Sequence, residues 1–319
     1  GIASYTLELA KMLSKYVDLT LLSFNNLILK DEQKLNVIDF KIKLKLRGLP
    51  LLTYLLYKNR LNKIIKDYDI IHETLPPWGC GGDKLITTKW GYVNHLKLAY
   101  IRTIGLKFPE NLGGLPVTLQ HYIMNNMSFK RAKYIINFNE SSPYFVPPVI
   151  ARNQLKSFNC TNTLKLLFVS RDLNIPRKNL KVLLEALKYV KRPIELHLVG
   201  SGGVNISSNK HKIINHGYLK RDEVINLMKQ VDAQILPSTY EELGFVGLEA
   251  YSVGLPLITS DIPSFRSIFK VSPKFAINDS KGLAKIIESL TCDQLENLGR
   301  KEWEYIEQSN KIAVRKILK

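Results

Sequence analysis

Pro237-Ser-Thr-Tyr-Glu241-Glu-Leu-Gly244-Phe-Val-Gly-Leu-Glu249-Ala-Tyr-Ser-Val-Gly254-Leu-Pro256 starts at the end of one apolar run, Ala233 to Pro237, and leaves into another, Leu255 to Ser260. Between them the pattern predicts a helix over Phe245 to Val253, with Gly244 before it and Gly254 after it. A helix starting near Phe245 points free backbone N–H groups and the positive end of its dipole at the loop that Gly244 covers, which suits a phosphate. Glycine there is expected to let a ligand approach the backbone. Glu249 lies one turn into the helix on the face of Phe245, so its carboxylate is placed to accept hydrogen bonds from hydroxyls beside that phosphate, ribose first among them. Glu241, across the loop, is placed to hold another polyol.

Two carboxylates repel an anionic ligand, so the reading requires cations. Arg171 ends the predicted strand Leu164 to Ser170 and is able to fork onto two phosphate oxygens. Lys178 opens the following helix and supplies a point charge, with Arg177 beside it as the alternative. Both positions fall at the C-terminal edge of a parallel strand, where such sheets bind ligands.

The same alternation runs in both directions from this segment. Downstream of Arg171 the pattern predicts helix Asn179 to Val190, strands Ile194 to Gly200 and Lys212 to Gly217, and helix Asp222 to Gln230. After Ser260 come a short helix near Pro263 to Phe269, strand Phe275 to Ile277, helix Gly282 to Leu290 and one or two terminal helices. Upstream, helix Gly1 to Tyr16 precedes strands Val17 to Phe24, Val37 to Phe40, Ile70 to His72, Leu85 to Thr88 and Tyr134 to Phe138. Alternating strands and helices define an α/β chain with parallel sheets. Val146-Pro-Pro-Val149 forbids helix and marks a hinge. The expected organisation is a Rossmann-like domain over 1–148, a second over 149–292, and C-terminal helices over 293–319 that are free to pack back on the first domain. A cleft between the two domains is the default ligand site.

The chain has 319 residues, 45% hydrophobic and 23% charged, the proportions of a globular protein rather than a disordered or fibrous one. Its 46 Lys+Arg against 28 Asp+Glu leave +18, which draws it toward polyanions. Between Lys41 and Lys66 there are eight basic residues and no acidic one, interleaved with leucines. This stretch is expected to lie on an anionic membrane surface. Cys80, Cys160 and Cys292 are three, distant in sequence and without Cys-x-x-Cys spacing, so neither a disulfide framework nor a zinc site is expected, and a reducing cytosol is the natural compartment. Asp67-Tyr-Asp69 precedes its strand and is read as structural, with no metal assigned. His72 sits at a strand end, where a functional and a structural role are both open.

These residues resemble glycosyltransferase family 4, the retaining enzymes of GT-B fold with an E-x7-E segment. Pro-Ser-x-x-Glu-x-x-Gly with a second Glu eight positions on is that segment. Gly1-Ile-Ala-Ser-Tyr-Thr-Leu-Glu-Leu-Ala is similar to the family's first helix after its glycine turn, and Asp69-Ile-Ile-His72 to a strand end of its first domain. Phe168-Val-Ser-Arg171 with Lys178 resembles its Arg/Lys pair, and Leu198-Val-Gly-Ser-Gly202 its next strand and turn. Lys89-Trp90-Gly91 stands where many members carry His.

The resemblance implies a nucleoside-diphosphate sugar as donor substrate, with no separate cofactor and no metal. It puts Glu249 on the ribose, Arg171 and Lys178 on the diphosphate, and Glu241 with Gly244, Phe245 and Val246 near the donor sugar, with Gly1 on the opposing turn. A glycan or lipid-linked acceptor, cytoplasmic and at the inner face of the cell membrane, completes the expectation. The competing readings are a nucleotide-sugar epimerase of similar shape and a basic nucleic-acid binder, for which only charge speaks. Because the sequence opens on a helix, a further apolar strand ending in Gly is expected about 10 to 20 residues upstream. Without it, strands Val17 to Phe24 and Ile70 to His72 should flank a gap or close onto each other.

Overall fold

A computed structural model describes residues 2–24, 35–42, 50–74, 80–89, 114–203 and 210–319. Gly1, the basic Lys43, Lys45 and Arg47, and Trp90-Gly91 lie outside the described residues. The chain divides into two compact units, Ile2–Val146 and Pro147–Lys319.

In the first unit, α1 (Ile2–Leu13) leads into β1 (Thr20–Phe24) and β2 (Asn36–Phe40), followed by α2 (Pro50–Ile65). Then come β3 (Ile71–Glu73), β4 (Leu85–Lys89), α3 (Gly114–Arg131) and β5 (Tyr134–Asn137). Tyr5, Leu9 and Leu13 recur at helical spacing on α1 and are all buried, with Tyr5 edge-on to Phe138 at 5.3 Å between ring centroids. A second cluster gathers Phe40, Tyr54, Leu61, Cys80 and Met124, which packs α2 and α3 onto β2. All the strands pair in parallel, yet they form two sheets, β1-β2 and β3-β4-β5. Among the described residues β1 pairs only with β2 and β3 only with β4. Thr20, Leu21, Leu22, Ile71 and His72 line a cavity together with Leu61, Ile64 and Ile65 of α2.

The second unit has one sheet of order β11-β10-β9-β6-β7-β8, built from β6 (Leu164–Asp172), β7 (Ile194–Ser201), β8 (Lys212–Asn215), β9 (Ala233–Leu236), β10 (Leu257–Ser260) and β11 (Lys274–Phe275). All its pairings are parallel. β9 and β10 are buried along their whole length, as parallel strands covered on both faces must be. Helices α4 (Leu180–Leu187), α5 (Arg221–Met228), α6 (Phe245–Val253), α7 (Pro263–Ile268) and α8 (Ser280–Ser289) alternate with the strands. Leu183, Ala186 and Leu187 of α4 and Leu283, Ala284 and Ile287 of α8 join one core with Leu164, Leu166, Leu196 and Leu198.

The terminal residues form a single helix, α9 (Cys292–Ile317), started by a capping box in which Thr291 Oγ1 accepts from the Gln294 N–H and Gln294 Oε1 accepts from the Thr291 N–H. From inside α9, the fully buried Glu302 accepts from the Leu257 N–H at 3.0 Å and from Ser272 Oγ at 2.8 Å. Ser272 in turn bonds the Tyr251 hydroxyl of α6 at 2.8 Å.

The cysteine reading needs correction. Cys160 and Cys292 are joined by a disulfide, with Cα atoms 5.8 Å apart and 132 positions between them in sequence. Their distance along the chain hid the pairing, because the extended segment after Ile150 returns to the start of α9. Only Cys80 stands outside the disulfide, so cysteine usage no longer argues for a reducing compartment. Among the described residues, no helix is long and apolar enough to cross a membrane.

Candidate active site

Gly244 takes a left-handed conformation (φ 62°, ψ 47°) directly before α6, which only glycine adopts readily. A Cβ here would lie 2.7 Å from Phe265 Cε1 and 3.2 Å from Phe269 Cε2. Internal packing against α7 by itself requires glycine here, independently of any ligand. Gly254, also left-handed, ends the same helix, so α6 begins and stops where the two glycines bracket it. Phe245 is buried and Val246 half-buried at its first turn, and no side chain caps its N-terminus. The free N–H groups of that turn are available to an anion.

Glu249 is 8% exposed, and its Oε1 accepts from Arg221 Nε at 2.7 Å. Arg221 also lies over the Phe245 ring, 5.6 Å from its centroid. The ion pair joins the first residue of α5 to the first turns of α6. Arg221 is the site residue that sequence reading missed. A signal was present, since a cation in a helix's first turn opposes the macrodipole and calls for a partner elsewhere.

Glu241, also 8% exposed, collects two cations. Lys178 Nζ lies 2.5 Å and Arg177 Nη1 2.8 Å from its Oε1, and Ser238 Oγ donates to the same atom at 3.4 Å. The Thr239 N–H donates to the Arg177 carbonyl at 2.9 Å, fastening the two loops together. Lys178 and Arg177 both neutralise Glu241.

Arg171 is exposed near the end of β6, and among the described residues its guanidinium has no hydrogen-bond or ion-pair partner. Its carbonyl accepts from Ser201 Oγ at 2.8 Å, tying the end of β6 to β7. Gly200 has φ 153°, and a Cβ there would run into the Ser170 carbonyl, so this turn too is set by close backbone approach.

The structure thus brings Lys178 to Glu241, and Glu249 to a cation that was not foreseen. His72 lies in the other unit. Its Nε2 is 2.8 Å from Thr88 Oγ1 on the adjacent strand, and burial pulls its pKa down to about 4. It is a neutral histidine bridging β3 and β4.

Two Rossmann-like units of parallel β/α architecture, the second with its free helix N-terminus beside paired acidic and basic groups, define the GT-B class of fold. Residues 163–293 match the family model described as "Glycosyl transferases group 1", a region that falls within the second unit. A 93-residue stretch is 33% identical to the glycogen synthase of Mycobacterium tuberculosis, covering 27% of this chain and 22% of that protein. The match thus spans about a fifth of the curated relative. Over whole chains, sucrose-phosphate synthase from Thermosynechococcus elongatus superposes with a TM-score of 0.69 at 14% identity, covering 98% of this chain and 90% of the other. Anabaena HepE, solved in complex with UDP and glucose, superposes with a TM-score of 0.60 at 13% identity, covering 88% and 84%.

Proposed function

We propose that the protein is a retaining glycosyltransferase of family 4 type that moves a hexosyl group from a nucleoside-diphosphate sugar to a glycan or lipid-linked acceptor in the synthesis of a surface polysaccharide or glycoconjugate. The observation that carries the reading is the pair of buried carboxylates, Glu241 and Glu249, placed on either side of the uncapped N-terminus of α6, each held by cations. HepE's complex with UDP and glucose supports a uridine nucleotide as the first donor to try.

In this reading Glu249 accepts hydrogen bonds from the ribose hydroxyls. Arg171 and the first N–H groups of α6 face the diphosphate. Glu241, fixed by Lys178 and Arg177, receives the sugar hydroxyls. The bond between C1 and the phosphate oxygen breaks, and a bond from C1 to the acceptor oxygen forms on the same face. The acceptor's proton leaves with the nucleoside diphosphate. Arg171, Lys178 and the helix N-terminus stabilise the charge that develops on the departing diphosphate, and this set of donors is the basis for reading the reaction as metal-independent. The acceptor side works peripherally, at the inner face of the cell membrane.

Titration calorimetry with UDP-, GDP-, ADP- and dTDP-sugars tests this. One nucleotide should bind clearly better than the rest, with transfer or slow hydrolysis of its sugar. Absence of binding by all four would refute the reading.

A further inference from the structure

Helix α2 carries apolar residues on opposite faces. Tyr54 and Leu61 are buried on the inner one, together with the polar Thr53. On the outer one Leu52, Leu55 and Leu56 are 43%, 57% and 54% exposed. At about 100° per residue these three share a stripe with Asn59 and Lys63. The water-facing stripe of a globular helix is ordinarily polar, so three neighbouring exposed leucines require an explanation.

Charge gathers on the same helix. Lys58, Arg60 and Lys63 belong to α2, and no acidic residue occurs from Phe40 to Lys66. Arg60 is held in place by the Lys41 carbonyl at 3.1 Å and by the Phe40 ring at 4.8 Å. Helix α3, linked to α2 where Gln120 Oε1 accepts from the Leu51 N–H at 3.3 Å, contains no acidic residue either and ends in Lys130 and Arg131.

We propose that the outer face of α2 seats on an anionic lipid leaflet, with Leu52, Leu55 and Leu56 entering the acyl boundary and Lys58, Arg60 and Lys63 meeting headgroup phosphates. A nucleic acid would use the cations but leave the aliphatic stripe without a role, since duplexes are bound through phosphates and polar base edges and single strands by stacking on aromatic rings. The inference deepens the membrane part of the proposed function and rests on it only for its purpose. Lipid binding here is separable from donor binding.

Co-sedimentation with phosphatidylcholine vesicles, with and without phosphatidylglycerol, tests it. The protein should bind the anionic vesicles and release as salt rises. Leu52→Ser, Leu55→Ser and Leu56→Ser together should lower the partition by about tenfold or more, with the thermal melt and UDP affinity unchanged. Should the triple variant melt early, Leu55→Ser alone should still weaken vesicle binding, because Leu55 is the most exposed of the three. Lys58→Gln with Lys63→Gln should erase the preference for anionic lipid. Vesicle binding indifferent to the leucine substitutions overturns the proposal. So does displacement from vesicles by duplex DNA that binds native and leucine-substituted protein alike, which would make nucleic acid the partner. Loss of UDP binding in the native protein, with vesicle behaviour as expected, would instead count against the sugar-transfer reading alone.

Discussion

Arg221 Nε and Glu249 Oε1, 28 positions apart in sequence and 2.7 Å apart in space, lock the first residue of α5 to α6. Glu249 is thereby oriented before any ligand arrives. A preset carboxylate loses little freedom on binding a hydroxyl pair, which favours affinity.

Replacing Glu249 by Ala should therefore weaken nucleotide binding by about tenfold or more, the loss of a charge-assisted contact of roughly 1.5–3 kcal/mol. Arg221→Ala removes the orienting partner while leaving the carboxylate in place. It should give a smaller loss of affinity together with a stability loss of about 1–2 kcal/mol, as Arg221 is only part-buried. Calorimetry and urea unfolding of both single variants and the double variant check this. Strictly additive losses would deny the coupling.

Arg171→Ala should leave stability within about 0.5 kcal/mol, because the side chain is exposed and unpartnered among the described residues. It should weaken UDP far more than uridine. Equal losses for the two ligands would remove Arg171 from the diphosphate.

The disulfide Cys160–Cys292 closes a loop that encloses the whole sheet of the second unit. Reduction should lower stability by about 2–5 kcal/mol, chiefly by releasing the unfolded chain. Cys160→Ser should show the lower melting temperature from the start and no further response to dithiothreitol. A native protein whose melt ignores the reductant would show that the bond is not made in solution.

Burial opposes charge at two sites with opposite consequences for pH. Glu302 has its pKa raised well above 4.5 by burial, so the folded state binds its proton more tightly than the unfolded chain does. Its stabilising share is complete below pH 4.5 and is lost as pH rises toward the folded pKa. His72, pulled down to about 4 from 6.5, acts the other way: its share is complete above pH 6.5 and is lost as pH falls toward 4. Glu302→Gln should raise stability at pH 8 relative to native protein and flatten the alkaline limb of the profile. His72→Asn should flatten the limb between pH 6.5 and 4. Urea midpoints measured from pH 4 to 9 decide both.

What could be read from sequence was local. Helix α6 falls where expected, over Phe245–Val253, because two glycines free to take left-handed conformations stand at its ends. Strands β6, β7 and β9 announce themselves by segments rich in Leu, Ile and Val, broken only by single polar residues such as Lys165, His197 and Gln234. The shorter elements shifted: β11 covers Lys274–Phe275, one position earlier than its apolar residues suggest, because pairing with β10 and not hydrophobicity fixes its ends. The misread features were long-range. Neither the Arg221 partner of Glu249 nor the Cys160–Cys292 bond leaves a spacing signature, since each joins residues that only the completed fold makes neighbours. The packing role of Gly244 is long-range too, since the rings of Phe265 and Phe269 that demand a glycine there come from a later element.

The division of the first unit's strands into β1-β2 and β3-β4-β5 bears on the order in which the molecule comes apart. A continuous ladder shares load across all of its strands, as the six-stranded sheet does. In the first unit, among the described residues, the two sheets share no strand pairing, so no cooperative hydrogen-bonded zipper links them. Heat, denaturant or proteases should therefore find Ile2–Val146 as the first foldon to open, with amide exchange at β1 and β3 running ahead of β6 and β9. Once that unit loosens, the outer edges of β1 and β3 offer ready templates for pairing between molecules. Its failure should then appear as concentration-dependent turbidity before the second unit melts.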